Sequence, residues 1–428
     1  MPALLLHHPS TASPSLTYTP THPTPTPSPS QYLLKVLTTT LTPSDLHPAP
    51  LQPPKTIPGT SLSGIILSTP SIDEHTPTGP KFKVGDEVIG LLSLSTPTQT
   101  PTQTQTPTPP RRAGACADVT VALETELAFK PRSVGSGASV GVVRGGLGGW
   151  QVLFGQRRDD SSGDTEGEGE GEGFFEGAGL SGVVEYSSEE DEVVNMEVER
   201  ERRERNGRVG RVVLFEKGGG RGRGVGNGVA GMVGQLIRAR SLFGEGAGGE
   251  GRVWVCFCVL GGGDDGGGGG GVDEGFLKGE LGVDEVVDYS SVSGGGRGLA
   301  GIFRQRDWAP VDLVVDCIGG EMLREAYDSA IVRDGGMVFS TVQPIPERDG
   351  MWAGVRESIQ KRNLMSRFFT VRPDGEQLEK IAMLLDKGEI RAFEEREMQF
   401  DEGREIVELL ESRRGRGEVV VRVNYDGQ

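Results

Sequence analysis

Histidine and cysteine are scarce in this chain of 428 residues, and the few that occur lie far apart. All five histidines fall within the first 75 residues. The cysteines form no CxxC pair; they are Cys116, Cys256, Cys258 and Cys317. A zinc site needs several ligands of these types at one point, so the sequence predicts a protein without a bound metal. The lack of a disulfide framework favours free thiols and a reducing compartment.

Long apolar runs and targeting signals are also missing. No stretch approaches the roughly 18 consecutive apolar residues of a membrane-spanning helix. Residues 1–34 contain no Lys or Arg, which argues against a secretory or mitochondrial signal. We therefore expect a cytoplasmic protein with no membrane span.

A basic surplus is absent too, because 44 basic residues are outnumbered by 61 acidic ones and the net charge is −17. We expect no nucleic-acid partner, although most of this charge belongs to a single segment. Residues 159–204 alone hold 17 acidic and three basic residues, which accounts for −14 of the total. Such a segment cannot bury enough apolar surface to offset the entropy lost on ordering. We predict a disordered acidic insert over residues 156–208.

Glycine and proline, by contrast, are abundant and unevenly placed. Residues 1–110 contain 22 of the 27 prolines, and residues 135–298 contain 48 of the 67 glycines. We assign part of this excess to a Pro/Thr-rich loop over 93–112 and a Gly-rich loop over 261–272. The remaining sequence is long enough for two ordinary domains.

The pattern of apolar residues separates these two domains. Short β-branched runs broken by Pro and Gly predict a mostly β unit near the N-terminus. Later, apolar strands alternate with helical segments; the strands are RVVLF, VWVCFCV, EVVDY, VDLVVD, MVFST and RFFTV. Strands that are apolar on both faces favour a parallel sheet covered by helices, as in the Rossmann fold. The segment DGEQLEKIAMLLDKG predicts a helix capped by Asp374 and ended by Gly388.

A glycine-rich turn joins the first of these strands to an amphipathic helix. Gly226, Gly228 and Gly231 satisfy the pattern GxGxxG. Backbone N–H groups and the positive end of a helix can hold a pyrophosphate at such a turn. In a segment so rich in glycine, a flexible linker is the alternative interpretation.

Several segments resemble the medium-chain dehydrogenases/reductases and occur in the same order; they include IPGTSLSG, FKVGDEVIG, NGVAGMVGQLIRA, LGVDEVVDY, VDLVVDCIGG and DGGMVFST. The similarity is greatest to the zinc-free quinone oxidoreductase and enoyl reductase-like branch. It implies an α/β protein with a GroES-like substrate domain at 1–145, completed by residues 346–428. It also implies a Rossmann doubly wound parallel-sheet domain at 146–345, which binds NADPH, or alternatively NADH, as hydride donor.

The resemblance also implies which residues bind the cofactor. They are Gly226, Asn227, Gly228, Val229 and Ala230 in the glycine turn, Cys317 and Gly319 after the fourth strand, Ser340 and Thr341 at the end of the fifth, and Phe369. Structural roles are the alternatives: Phe369 as a core aromatic, Cys317 as a small buried residue, and Gly319 as a strand-ending glycine. Asp264 or Asp265 would bind ribose hydroxyls, or else be solvated.

Departures from the family pattern leave the catalytic residues unassigned. Thr42, Gly148 and Glu418 stand where the family pattern has asparagine, threonine and lysine, respectively. Tyr32 and His47 lie in the substrate domain, but only their location suggests a role in proton transfer. We expect hydride transfer to a quinone, an enone or enoyl compound, or a related small carbonyl acceptor. The alternative is a catalytically impaired relative that serves as a binding or scaffold module. The resemblance also suggests a homodimer.

Overall fold

The computed structural model describes most of the chain, with gaps. The described ranges are 1–7, 14–46, 55–71, 79–93, 113–156, 210–217, 226–243, 253–260, 273–289, 298–346, 349–393, 397–411 and 418–424. Apart from Ser93 and Gln156, the three segments predicted as inserts or loops (93–112, 156–208 and 261–272) lie outside the described residues, as do His47, Asp264 and Asp265.

The described strands are β1 (Ala3–His7), β2 (Ser15–Thr19), β3 (Gln31–Leu41), β4 (Lys55–Thr56), β5 (Ser61–Ser68), β6 (Glu87–Leu91), β7 (Val119–Leu123), β8 (Leu127–Phe129), β9 (Arg211–Lys217), β10 (Trp254–Leu260), β11 (Glu285–Asp288), β12 (Val311–Asp316), β13 (Val332–Ser340), β14 (Met365–Phe368), β15 (Glu397–Gln399) and β16 (Val419–Arg422).

The described helices are α1 (Pro43–Leu46), α2 (Ser136–Gly141), α3 (Val143–Phe154), α4 (Val229–Arg238), α5 (Arg240–Phe243), α6 (Glu274–Glu280), α7 (Gly298–Gln305), α8 (Gly320–Glu325), α9 (Ala353–Arg362), α10 (Gly375–Asp386) and α11 (Gly403–Glu411). Short 3-10 turns occupy Glu124–Glu126 and Gly350–Trp352. None of these helices is both long and apolar enough to cross a membrane.

The chain divides into two compact units, of which the first comprises residues 1–147, 372–388 and 392–428. Its main sheet has the order β15-β16-β3-β5-β6-β8, and β7 also pairs with β3. Neighbouring strands are antiparallel except for the parallel pair β15 and β16. Strand β3 buries alternate residues at its start, including Tyr32, Leu34 and Val36, as the period-2 pattern of YLLKVL predicts.

A smaller sheet in the same unit has the order β2-β1-β4 and is antiparallel. Leu4, Leu6 and Leu16 of this sheet share a buried apolar cluster with residues of α11, among them Ile406 and Leu410. Gly403, the first residue of α11, lies so close that an added Cβ atom would stand 3.0 Å from the main-chain oxygen of Leu16.

The second unit, residues 148–371 and 389–391, is built on a parallel sheet with the order β11-β10-β9-β12-β13-β14. Val212–Phe215 in β9 and Val255–Cys258 in β10 are fully buried. Their continuous apolar runs therefore face helices on both sides of the sheet, as predicted. The mixed α/β fold class, an antiparallel β unit plus a Rossmann unit, is confirmed.

One domain boundary differs from the prediction. We expected the chain to return to the first unit at residue 346, but the second unit extends to Val371. The reason is β14, which extends the parallel sheet beyond β13 by pairing Met337 with Met365 and Ser340 with Phe368. A four-residue edge strand carries too little periodicity for its partner to be inferred from sequence.

The first unit resumes with α10, where the local predictions match the structure. The Asp374 side chain accepts a hydrogen bond from the N–H of Gln377 at 2.9 Å and caps the helix. Gly388 follows the helix with φ +69°, a conformation that favours glycine at a helix end.

Candidate cofactor site

The strand order of the parallel sheet defines where a ligand would bind. Strands β9 and β12 are neighbours in the sheet, and the chain runs outward from them in opposite directions. In open α/β sheets, ligands bind outside the carboxyl ends of the strands at such a switch point. The ends of β9, β12 and β13, with the turns that follow them, are therefore the candidate site.

The glycine turn ends at the start of α4. Gly226 and Asn227 are buried, and Gly228 is the residue that precedes the helix, with no side chain to cap it. The first intrahelical bond runs from the N–H of Met232 to the oxygen of Gly228 at 2.9 Å. The N–H groups of the first turn thus have no intrahelical acceptor, and with the helix dipole they make a site suited to an anion.

A buried glutamine fixes the glycine turn from inside the unit. Gln235 donates from Nε2 to the main-chain oxygen of Gly226 at 3.0 Å. Its Oε1 accepts from the N–H of Arg391 at 2.7 Å. This side chain is 4% exposed, and its bond to Gly226 is buried, whereas its bond to Arg391 is partly buried. Sequence reasoning placed Gln235 in the helix but did not predict its role.

The turn after β12 is shaped by two glycines and one buried carboxylate. Gly319 has φ +80° and Gly320 has φ +61°, both in the region that favours glycine. Asp316, at the end of β12, is fully buried and accepts from the N–H of Ile318 at 3.1 Å and of Gly319 at 2.9 Å. We did not predict Asp316. The sequence did contain a signal for Asp316: it is a polar residue at the end of an apolar strand, shortly before a Gly-Gly turn.

The Cys317 thiol brings together residues from three elements. It is half-buried, and the N–H of Ala230 at the start of α4 and the hydroxyl of Thr341 after β13 both act to lower its pKa. Burial, followed by the charge of Glu216, raises the pKa of the thiol well above its ordinary value, against the effect of the Thr341 and Ala230 hydrogen bonds. A thiol in this state is not ionised at neutral pH, which argues against a nucleophilic role.

Ser340 and Thr341 end β13 beside the Asp316 turn. Ser340 is 3% exposed and donates from Oγ to Oδ2 of Asp316 at 2.7 Å. Thr341 donates from its main-chain N–H to the main-chain oxygen of Asp316 at 3.0 Å, and its side chain is half-buried. Of the pair, Thr341 is therefore better placed to contact a ligand.

Phe369 is packed as a core residue. It is 8% exposed, and its ring meets that of Phe339 edge to face with centroids 6.4 Å apart. Its N–H donates to the oxygen of Ser340 at 3.0 Å. This packing favours the structural alternative. The structure brings the glycine turn, the Cys317–Gly319 turn and the end of β13 together, but it buries the Phe369 ring.

The departure at Gly148 has a steric cause. An added Cβ atom at this position in α3 would stand 2.6 Å from Cγ2 of Val229 and 3.1 Å from Cγ2 of Val371. At the adjacent Gly149, an added Cβ atom would stand 3.1 Å from Cβ of Met232 and 3.1 Å from the main-chain nitrogen of Val233. Two successive glycines therefore let α3 approach the start of α4, and the family's threonine would not fit here without displacing Val229.

The other two departures lie in the first unit. Thr42 donates from Oγ1 to Oδ2 of Asp45 at 2.6 Å, and its N–H donates to the same oxygen at 2.7 Å, so Asp45 caps the short helix α1. Glu418 is partly exposed, but its Oε2 is buried and has no hydrogen-bond partner among the described residues. Burial raises the pKa of Glu418 to about 7, although Arg144 and a hydrogen bond from Thr40 oppose this shift.

A metal site finds no support in the described part of the chain. Within those ranges, no three His, Cys, Asp or Glu side chains lie close enough together to hold a metal ion. Cys116, the cysteine of the first unit, is buried, and burial raises the pKa of its thiol well above the ordinary value.

Comparison with known proteins agrees with this architecture. Residues 281–421 match the zinc-binding dehydrogenase family. The chain is 26% identical over 369 residues to a protein named probable zinc-binding oxidoreductase, mitochondrial, from Arthroderma benhamiae, covering 86% of this chain and 80% of that one.

Two solved structures are similar across nearly all of both chains. The quinone oxidoreductase from Coxiella burnetii has a TM-score of 0.59 at 18% identity and covers 99% of each chain. The crotonyl-CoA carboxylase/reductase AntE, solved with NADP, has a TM-score of 0.63 at 15% identity, with 100% of this chain and 95% of that chain covered.

At these identities the solved structures show the fold. In sequence and in fold, the chain is similar to medium-chain dehydrogenases/reductases, a class of oxidoreductases.

Proposed function

We propose that the chain is an NAD(P)H-dependent oxidoreductase that transfers hydride to a quinone, an enone or enoyl compound, or a related carbonyl acceptor. The observation that carries this proposal is the switch point between β9 and β12 in the parallel sheet. The glycine turn follows β9, and the two turns that contain Gly319 and Thr341 follow β12 and β13. The switch point is the location at which doubly wound folds bind dinucleotides.

The residues present suit the two halves of such a cofactor differently. The N–H groups of Val229, Ala230 and Gly231 would bind the pyrophosphate. The N–H of Ala230 also acts on the Cys317 thiol. Gly319 and Thr341 would lie along the nicotinamide half, because the adenine half binds over the strands on the other side of the switch point. When bound, the reduced cofactor would supply the hydride.

NADPH is the preferred cofactor in this proposal and NADH the alternative. The structurally similar AntE was solved with NADP, which supports NADPH. The segment that would distinguish the two follows β10 and contains Asp264 and Asp265, outside the described residues. Support for the acceptor class comes from the names of the similar proteins, a quinone oxidoreductase and a crotonyl-CoA reductase.

The first experiment measures cofactor binding. NADPH or NADH added to the purified protein should raise its melting temperature, because a ligand that binds only the folded state stabilises it. No shift with either cofactor at millimolar concentration would contradict the proposal. A binding protein would then be screened with quinones and α,β-unsaturated carbonyls, with loss of the reduced-nicotinamide absorbance as the signal.

Independence from zinc is a separate part of the proposal, supported by the separation of histidines and cysteines along the sequence. The names of the matched family and of the fungal relative refer to zinc binding, so the opposite outcome of the test is a protein that contains zinc. The purified protein should contain far less than one zinc per chain by elemental analysis. Stoichiometric zinc that a chelator removes together with activity would contradict this part.

A catalytically impaired relative is the second candidate. It is favoured by Gly148 and Glu418, which replace two polar residues typical of the family. In that case the protein would either bind no cofactor or bind it without oxidising it in the acceptor screen. Cofactor binding and turnover, measured on one preparation, separate the two candidates.

The assembly state and location are also proposals. A homodimer is expected from the resemblance alone, and sedimentation of the purified chain tests it. A cytoplasmic location is expected from the sequence, whereas the name of the fungal relative says mitochondrial. Fractionation of cells that express the tagged full chain distinguishes these two compartments.

A further inference from the structure

The carboxylate of Asp316, at the end of β12, accepts three hydrogen bonds. One carboxylate oxygen, Oδ1, accepts from the N–H groups of Ile318 at 3.1 Å and Gly319 at 2.9 Å. The other, Oδ2, accepts from the hydroxyl of Ser340 at 2.7 Å. The side chain is fully buried, so these bonds, rather than water, satisfy the carboxylate.

The bond to Ser340 extends this network into the next turn. Ser340 Oγ accepts from the N–H of Val342 and of Gln343, each at 3.3 Å, while its proton is donated to Asp316. The Ser340 hydroxyl is thus both a donor and an acceptor. A single carboxylate therefore sets the backbone of the turn after β12 and, through Ser340, the backbone after β13.

Both turns belong to the same half of the candidate site. They follow β12 and β13, on one side of the switch point, whereas the glycine turn follows β9 and leads to β10. Each half of a doubly wound sheet binds one mononucleotide of a dinucleotide. On the proposed function, on which this inference rests, the Asp316 turns line the nicotinamide half alone.

We propose that Asp316 is a positioning residue for the nicotinamide half of the cofactor, acting through Ser340 and the backbone of Gly319. Asp316 touches no ligand itself. The prediction is selective: loss of the carboxylate weakens binding of the complete dinucleotide and leaves binding of its adenine half unchanged. A residue with a merely structural role would affect both ligands or neither.

Asp316→Asn tests the network with little change in volume. An amide nitrogen in place of Oδ2 is a donor, so the Ser340 hydroxyl loses its acceptor while it already accepts two N–H groups. Dissociation constants are measured by calorimetry for NADPH and for 2′-phospho-ADP-ribose, which lacks nicotinamide, or for NADH and ADP-ribose if the wild type prefers them. We expect the dinucleotide to bind about tenfold more weakly and the fragment to change by less than about twofold.

Two further variants sharpen the result. Ser340→Ala keeps the carboxylate but removes the link, so it should weaken the dinucleotide selectively and by a smaller factor. The double variant should be no weaker than Asp316→Asn, because both changes break one network. Asp312→Asn is the matched control. It lies at the opposite end of β12, where it accepts from the N–H of Arg211 and from Arg333, and should change neither affinity.

The outcomes separate the inference from the proposed function. Wild-type protein that binds neither ligand would overturn both. Wild-type protein that binds both, with equal losses or no loss in Asp316→Asn, would overturn the positioning role alone. If Asp316→Asn fails to fold, Ser340→Ala decides: a selective loss of the dinucleotide supports the role, and unchanged or equal losses contradict it.

Discussion

Gln235 of α4 and Gly226 of the glycine turn are joined by a hydrogen bond from Nε2 to the main-chain oxygen at 3.0 Å. The same side chain accepts from the N–H of Arg391, which lies 156 residues further along the chain. The turn proposed to approach a pyrophosphate is therefore held by a side chain of the helix that follows it.

Replacing Gln235 by Leu should cost about 1–3 kcal/mol of folding stability, because it leaves the buried oxygen of Gly226 and the partly buried N–H of Arg391 without this partner. It should also weaken cofactor binding, since the Gly226 turn loses its support. Urea denaturation and calorimetric titration measure the two effects. Gln360→Leu is the control: the residue is exposed on α9, and the change should stay within about 0.5 kcal/mol. Equal effects at the two positions would contradict the role given to Gln235.

The parts of this fold that sequence reasoning found are those with a local signal. Continuous apolar runs identified β9 and β10, and the cap at Asp374 with the terminator at Gly388 bounded α10. Each of these depends on residues within one element, where periodicity and capping act directly. Ala230, Cys317 and Thr341 were named as cofactor-binding residues from family resemblance rather than from a physical pattern, and that role stays a prediction.

Contacts between distant residues were not foreseen. The bond from Ser340 to Asp316 links positions 24 apart, and nothing in either segment marks the other as its partner. The domain return was placed at 346 and not 372 for the same reason, since β14 is defined by its pairing with β13. Phe369 was open to two interpretations, a cofactor contact and a core aromatic, and its packing on Phe339 favours the second. Tertiary context settles such cases, and a single sequence does not contain it.

Gly148→Thr, which introduces the residue typical of the family, should destabilise the protein. Its Cβ atom would stand 2.6 Å from Cγ2 of Val229, closer than van der Waals contact allows. Overpacking of this kind costs about 1–3 kcal/mol, and a displaced Val229 would also disturb the start of α4. The melting temperature and the affinity for NADPH should both fall.

Gly354→Ala is a matched glycine replacement for comparison. Gly354 lies in α9, and an added Cβ atom meets nothing within 4 Å. Alanine there should stabilise the helix by up to about 1 kcal/mol. If Gly148→Thr is tolerated as well as Gly354→Ala, the close approach of α3 and α4 is not what excludes the threonine.

Tyr32→Phe should weaken folding but leave turnover unchanged. The Tyr32 hydroxyl donates to Glu124 at 2.5 Å and accepts from the N–H of Phe82 at 3.3 Å, and the side chain is fully buried. Burial, and then the bond to Glu124, raises the pKa of Tyr32 far above its ordinary value. The phenol therefore serves the core of the first unit and does not donate a proton to substrate. Its removal should cost about 1–3 kcal/mol in chemical denaturation. A large fall in turnover with normal stability would contradict this role.

Glu418 should make folding stability depend on pH near neutrality. Its folded pKa of about 7 exceeds the ordinary 4.5, chiefly because burial disfavours the charged form. The folded state then holds this proton more tightly than the unfolded state. The stability it contributes is complete below about pH 4.5 and is lost as the pH rises through about 7, a difference of roughly 3 kcal/mol at most.

Glu418→Gln isolates this contribution, because the amide has a similar shape and does not titrate. Between pH 5 and pH 8.5, set on either side of the folded pKa of about 7, the wild type should lose stability relative to the variant. Urea denaturation of both proteins at the two pH values measures the difference. Arg144, the hydrogen bond from Thr40 and the Asp45 carboxylate act on Glu418 from α3, β3 and α1, so their own contributions remain in both proteins and cancel. Parallel stability curves for the two proteins would show that Glu418 is ionised throughout this range.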